Sequence, residues 1–255
     1  LAETIAARKA AMASEEPVLA DLSRFKYRAK VELIRWNDQT AIKKTFRRSG
    51  LDAMARELAF HDDVCPVSDV PPRVLGRSEN AIVFEHIDNA LEVRRLLGLR
   101  VPVPLPLHVV RQLAEFVHLV VARGWDPIDL TPRDNILIDR RSGGLRAIDF
   151  EFAFRHERPI SPEVSFFLAG IPENAEVARP LNNAMQEDPF PDKWRPFVGL
   201  DKQSFLHDPS WLQRLKRMVV HPPWLASRVM GELLRRRRRA TARDGALSGI
   251  ILRAS

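Results

Sequence analysis

The chain has a single cysteine, Cys65, among its 255 residues. One thiol cannot close an internal disulfide, and no His/Cys spacing of the zinc-binding kind accompanies it, so a reducing, cytoplasmic setting is expected. No apolar run approaches the roughly 18 residues needed to cross a bilayer, and no secretory leader pattern is visible. The expectation is a soluble chain, or one peripheral to the inner face of a membrane. Also missing is any aromatic and glycine-rich stacking pattern, which makes nucleic acid a disfavoured partner. The first residue is Leu1 rather than Met, which leads to the expectation of a piece of a longer protein.

What is present is an ordinary globular composition with a local excess of cations. Hydrophobic residues make up 45%, and the length suffices for one large domain or two lobes. Lys and Arg number 40 against 33 Asp and Glu, a net charge of +7. Arg235 to Arg239 form an unbroken run at the end of a predicted helix, where cations favour the helix dipole. The run reads either as a solvated helix end or as a contact for an anionic lipid surface.

Hydrophobic periodicity sets the order of elements. Residues 1–24 read as an Ala-rich helical extension interrupted near Pro17. From Tyr27 to Ile34 apolar and charged residues alternate as in a half-buried strand, Asn37-Asp38 makes a turn, and Gln39 to Phe46 returns. A helix with Leu51, Met54 and Leu58 on one side follows, then two short strands at Pro71 to Leu75 and Ala81 to Phe84. Leu107, Val110, Leu113, Phe116, Val117 and Val120 recur at helical spacing until Gly124. Ile136 to Ile138 and Leu145 to Ile148 are short apolar runs around turn residues Arg140 to Gly144, a β-hairpin with Asn135 at its entrance and Asp149 at its exit. A carboxylate and an amide oxygen at one end of a hairpin suit a hard cation such as magnesium. Further on, Ser210 to Val220 and Leu225 to Leu234 read as amphipathic helices, with Trp194, Trp211 and Trp224 as core or groove residues.

The segment Asp129-Leu130-Thr131-Pro132-Arg133-Asp134-Asn135-Ile136-Leu137, followed by Asp149-Phe150-Glu151, resembles the catalytic loop and metal-binding segment of the protein kinase-like superfamily. Thr40-Ala41-Ile42-Lys43 is similar to that family's Val-Ala-Ile-Lys strand, and the resemblance covers about residues 25–155. It implies an α+β, two-lobe fold: a small antiparallel, nucleotide-binding lobe at 25–88 and a larger, mainly helical lobe at 89–255. It further implies an ATP- and Mg2+-dependent kinase in which Asp129 accepts or orients the attacking hydroxyl and Asn135 and Asp149 hold the metal. Lys43, paired with Glu57, would contact the nucleotide phosphates, Ala41 would pack near the adenine, and Glu85 and Ile87 would lie in the hinge at its edge.

Departures from the family pattern shape the functional expectation. Pro127-Ile128 stands where a His-Arg pair is usual, Glu151 replaces a glycine, and no Gly-x-Gly-x-x-Gly loop precedes the first strand pair. One extra residue separates Asp129 from Asn135, so either Asn135 or Asp134 takes the metal-binding place. These features look like the bacterial small-molecule branch, which includes lipopolysaccharide kinases and aminoglycoside phosphotransferases. The expected acceptor is a hydroxyl of a saccharide or lipid-linked glycan. A non-catalytic binding or scaffold module (pseudokinase) and a serine/threonine protein kinase are the alternatives.

Overall fold

A computed structural model describes residues 17–23, 28–90, 94–96, 99–101, 104–132, 134–172, 188–223, 225–227, 229–231 and 233–234. The Arg235 to Arg239 run, Tyr27, Arg133 and Trp224 lie outside the described residues. The fold is mixed α+β, and the chain divides into two compact units: residues 1–91 with 115–189, and residues 92–114 with 190–255. Among the described residues no helix is long and apolar enough to cross a membrane.

The first unit is built on a five-stranded antiparallel sheet in the order β1-β2-β3-β5-β4. Its strands are β1 (Val18–Asp21), β2 (Ala29–Trp36), β3 (Gln39–Phe46), β4 (Val74–Arg77) and β5 (Ala81–Glu85). Strand β1 corrects the expected helical extension at residues 18–21, since Val18 to Asp21 pair with the edge of β2, while residues 1–16 of that extension lie outside the described residues. Its apolar residues gain main-chain partners there. The β2–β3 hairpin closes with only Asn37 and Asp38 between the paired Trp36 and Gln39. Both turn residues have positive φ, 44° and 62°. A two-residue turn of that hand matches the strand twist, and Asn and Asp are the side chains that best tolerate it.

The register sorts the sheet into two faces, because residues directly opposed across strands point the same way. Ala29 pairs with Phe46, Val31 with Lys44 and Leu33 with Ile42. Lys44 also pairs with Ile82, and Ile42 with Phe84. On this face Ala29, Phe46, Ile82 and Phe84 pack against Ala53 and Met54 of helix α1 (Leu51–Val64). The opposite face carries a separate cluster of Ile34, Ala41 and Val83.

Helix α1 buries Ala53, Met54, Glu57, Phe60, His61 and Val64, spaced as one helical stripe. Leu51, expected on that stripe, is exposed at its first turn, and Leu58 lies at its margin. Gly50 precedes the helix because a Cβ there would come within 2.9 Å of the Arg28 carbonyl oxygen. Around Phe60 the unit gathers its aromatic core. Phe150 stacks on Phe60 at 4.0 Å between centroids, and Trp125 and His61 meet Phe60 edge-on. Phe116, on helix α2 (Leu107–Ala122), reaches Phe150 from another side.

Three short strand pairs complete the β-structure of the described residues. The hairpin β9 (Ile136–Ile138) with β10 (Leu145–Ala147) has the expected boundaries to within a residue, and β8 (Trp125–Pro127) pairs with β11 (Ala153–Arg155). The ribbon β6 (Arg94–Leu96) with β7 (Leu99–Val101) belongs to the second unit. After β11, helix α3 (Phe166–Ala169) begins on the fully buried Asp126, whose carboxylate accepts from the amides of Phe166 and Phe167 and from His156.

The second unit also contains α4 (Arg195–Val198), α5 (Lys202–His207) and α6 (Ser210–Val219). Its core is the aromatic triad Phe190, Trp194 and Phe205. Trp194 is buried as expected. Asp201 caps α5 by accepting from the Ser204 amide at 2.8 Å, satisfying a donor the helix itself leaves open.

Candidate functional site

The parity of β3 decides which lysine enters the site. Lys44 shares the α1-facing side with Ile42 and Phe46, and its ammonium lies 2.9 Å from Glu57 Oε2, 2.7 Å from Asp149 Oδ1 and 3.0 Å from Glu151 Oε2. Lys43 is opposed to Glu32 and Val83 on the other face. The expected Lys43–Glu57 pair is therefore corrected to Lys44–Glu57. Ala41 shifts for the same reason: it belongs to the Ile34 and Val83 cluster, and Ile42 takes the site-facing place.

One ammonium among three carboxylates leaves the cluster with an excess of negative charge. Lys44 stays firmly protonated, its pKa raised well above the ordinary value by Asp149, Glu57 and Glu151 despite the desolvation that opposes the charge. Glu57 is pushed the other way for a carboxylate, up to about 7, because burial disfavours its charge more than Lys44 restores it. The two shifts belong to one cluster: the ammonium persists, and burial favours the neutral form of Glu57. Oxygens of Glu57, Asp149 and Glu151 lie within 4.8 Å of one another and converge on the Lys44 ammonium between them.

Asp149 is held in a rare backbone conformation, φ 68°. The cost of a left-handed non-glycine residue is offset by its neighbour, since Phe150 is sunk in the aromatic core against Phe60. The Ile148 amide is bonded to the Asn135 carbonyl at 2.9 Å, which ties the exit of β10 to the entrance of β9. Two residues on, Glu151 Oε1 also lies 3.8 Å from Arg28, whose guanidinium sits 4.8 Å from the centre of the Phe152 ring.

The loop before β9 closes on itself. Asn135 Nδ2 donates to the Asp129 carbonyl at 2.8 Å, and the Asn135 amide donates to the Thr131 carbonyl at 3.0 Å. Leu130 and Ile128 are buried beneath, anchoring the loop from below. The extra residue is absorbed in this turn: Asn135 is buried at the strand entrance, and Asp134 just before it is exposed. Both line the site.

All these groups border one cavity of about 1010 Å³ within the first unit. Its walls divide by chemistry. Ala29, Val31, Ile42 and Phe84 from the sheet and Leu137 and Ile148 from the hairpin form an apolar part. Lys44, Glu57, Asp149, Glu151, Asn135 and Asp129 form a charged part. Glu85, Ile87 and Asn89 border the cavity where the chain leaves β5. There Arg73 and Arg146 both pair with the Glu85 carboxylate. Ala90 donates to the Ile138 carbonyl at 2.7 Å and Arg140 donates to the Asp88 carbonyl at 2.8 Å, fixing this segment to the β9–β10 hairpin.

Of the residues expected in the site, Glu57, Glu85, Ile87, Asp129, Asp134, Asn135 and Asp149 border the cavity, and Lys43 and Ala41 do not. Lys44, Ile42, Arg28, Leu137, Ile148 and Glu151 are among the further residues that line it. The signal for Lys44 was present but indirect: Phe46 ends the strand on the core side, and Lys44 is two residues from it whereas Lys43 is three. Glu57 announces itself as the one carboxylate inside the buried stripe of α1. No local pattern singles out Arg28, which the fold brings to Glu151 across 123 sequence positions. Neither the protein-family models nor the curated proteins searched contain a match to this chain.

Proposed function

We propose that the chain is an ATP- and magnesium-dependent phosphotransferase with a protein kinase-like two-lobe fold. The acceptor in this reading is a hydroxyl of a saccharide or a lipid-linked glycan. The single observation that carries the reading is Lys44, bonded at once to Glu57 of α1 and to Asp149 beyond β10, at the charged end of a cavity whose other end is apolar. A planar base suits the apolar part and a polyphosphate suits the ammonium, and one ligand containing both is a nucleoside triphosphate.

In this mechanism the protein positions reactants and balances charge. Lys44 holds the nucleotide phosphates, and Glu57 keeps the ammonium aimed at them. Asn135 and Asp149 would hold magnesium, which when bound would supply positive charge to offset that of the phosphates. Asp129 accepts the proton of the acceptor hydroxyl as its oxygen bonds to phosphorus and the bond to the β-phosphate oxygen breaks. The buried Asn135 has its amide nitrogen engaged by Asp129, which leaves its oxygen as the donor to metal and favours it over the exposed Asp134. Pro127-Ile128 in place of a His-Arg pair removes the usual anchor for an activation-loop phosphate and disfavours the protein-kinase alternative.

A nucleotide thermal-shift measurement tests this reading. ATP should raise the unfolding temperature in the presence of magnesium, and Asp149→Asn should abolish the magnesium-dependent part. A native protein that shows no shift with any nucleotide sinks the proposal.

A specific observation also supports a binding or scaffold module: Glu151 gives Lys44 a third carboxylate partner in competition with phosphate. ATP consumption separates the two readings. The phosphotransferase reading expects turnover that falls by about 10³-fold or more in Asp129→Ala. Nucleotide binding without turnover favours the scaffold.

A further inference from the structure

Helix α6 is assembled with its polarity reversed. Gln213 is buried and donates to the carbonyls of Ser204 and Phe205. Lys216 reaches inward to Asp208 at 2.7 Å and to Ser204 Oγ at 2.8 Å. Arg217 donates to the Leu105 carbonyl at 2.7 Å and lies against Gly199, where a Cβ would stand 3.0 Å from its Nε. The outward side carries large apolar residues around the exposed Arg214: Trp211 is 68% exposed, Leu215 48%, Met218 63% and Val219 64%. The offsets of four, seven and eight residues put these four on one side of a helix, forming a contiguous stripe. Trp211 was expected in a core or groove, and this arrangement corrects that expectation.

An apolar stripe left outside while the polar face is used for packing marks a surface that meets something apolar. Charge selects the occupant. Helix α6 carries Arg214, Lys216 and Arg217 and no acid. From Ser210 to Arg239 the sequence has nine Lys and Arg against the single Glu232, a net +8. The whole chain is +7, so the other 225 residues together sum to −1. The basic character of this protein thus belongs to the region that bears the apolar stripe. An apolar face containing tryptophan, within a strongly cationic segment, has the chemistry of a helix that lies in the headgroup boundary of an anionic bilayer.

We infer that the outward face of α6, through Trp211, Leu215, Met218 and Val219, docks the protein on an anionic lipid surface. This surface is distinct from the cavity of the first unit, and the inference holds whether or not that cavity turns over ATP.

The experiment is co-sedimentation of the full chain with sucrose-loaded vesicles of phosphatidylcholine alone and of phosphatidylcholine with about one quarter phosphatidylglycerol. The native protein should sediment with the anionic vesicles, weakly or not at all with the neutral ones, and less as salt rises. The double substitution Trp211→Asp with Met218→Asp should weaken partitioning by roughly tenfold or more. Its far-ultraviolet circular dichroism should be unchanged, since both side chains point outward. If that variant fails to fold, quenching of tryptophan fluorescence by brominated anionic lipid decides. It should occur in the native protein and be largely lost in Trp211→Phe. Native protein that ignores anionic vesicles overturns the inference, as does binding that both α6 tests leave unchanged. Concentration-dependent dimers abolished by the double substitution, with no vesicle binding, would assign the face to a second copy of the chain.

Discussion

Two adjacent lysines on one strand have opposite fates. Lys44 is buried among Glu57, Asp149 and Glu151, while Lys43 sits on the face that carries Ile34, Ala41 and Val83. Replacing Lys44 by Met leaves three carboxylates clustered without their cation and removes the group proposed to hold phosphate. Lys44→Met is expected to lose the nucleotide-induced thermal shift, whereas Lys43→Met retains it within error. Equal shifts in both variants would show that the ammonium beside Glu57 takes no part in nucleotide binding. The tag Ala41-Ile42-Lys43 invites the wrong choice because a motif match counts along the chain. A pleated strand presents alternate residues to alternate faces, so an error of one position reverses the side. Glu57 is easier to find: a carboxylate inside an otherwise apolar helical stripe needs a buried partner.

At the scale of elements, the Asp149-Phe150-Glu151 segment is organised by its central residue. Phe150 is almost fully buried and stacked on Phe60, with Phe116 and His61 at its edges. Its insertion holds the flanking acids toward Lys44 and sustains the left-handed backbone at Asp149. Phe150→Ala should cost about 3–5 kcal/mol of stability, measured by chemical denaturation. It should also diminish nucleotide binding even where the fold survives, because Asp149 loses its anchor. A full thermal response to ATP and magnesium in that variant would separate the aromatic core from the site. The β9–β10 hairpin, the long helix α2 and the loop from Asp129 to Asn135 were all legible in residue order. Strand β1 was not, since Val18 to Asp21 is too short for its periodicity to stand apart from an Ala-rich neighbourhood. Its strand character comes from hydrogen bonds to β2.

At the scale of the whole molecule, His61 is a buried base whose charging in acid opposes the folded state. His61 lies in the core of the first unit, and burial with the nearby Lys44 charge lowers its pKa from 6.5 to about 4. The folded state therefore prefers the neutral ring. The resulting stability is fully present above pH 6.5 and is lost progressively as pH falls toward 4. It amounts to on the order of 3 kcal/mol. Glu57, raised to about 7, titrates with the opposite sign over much of the same interval, so the His61 share is read by difference: in denaturant unfolding from neutral to mildly acid pH, His61→Leu should lack the part of the slope that falls with acid. An identical pH slope in the variant would place the acid sensitivity elsewhere.

The sequence by itself determined the α+β order of elements, the hairpin between Asn135 and Asp149, the helix that becomes α1 and the presence of acids and lysines within these elements. Those are local properties, carried by spacing and by turn chemistry within a few residues. Tertiary structure decided the rest: that Lys44 and not Lys43 meets Glu57, that Glu151 and Arg28 join the site, and that α6 turns its polar side inward. Each depends on cross-strand register or on packing between distant segments, where an amphipathic element can present either face and only its neighbours select one.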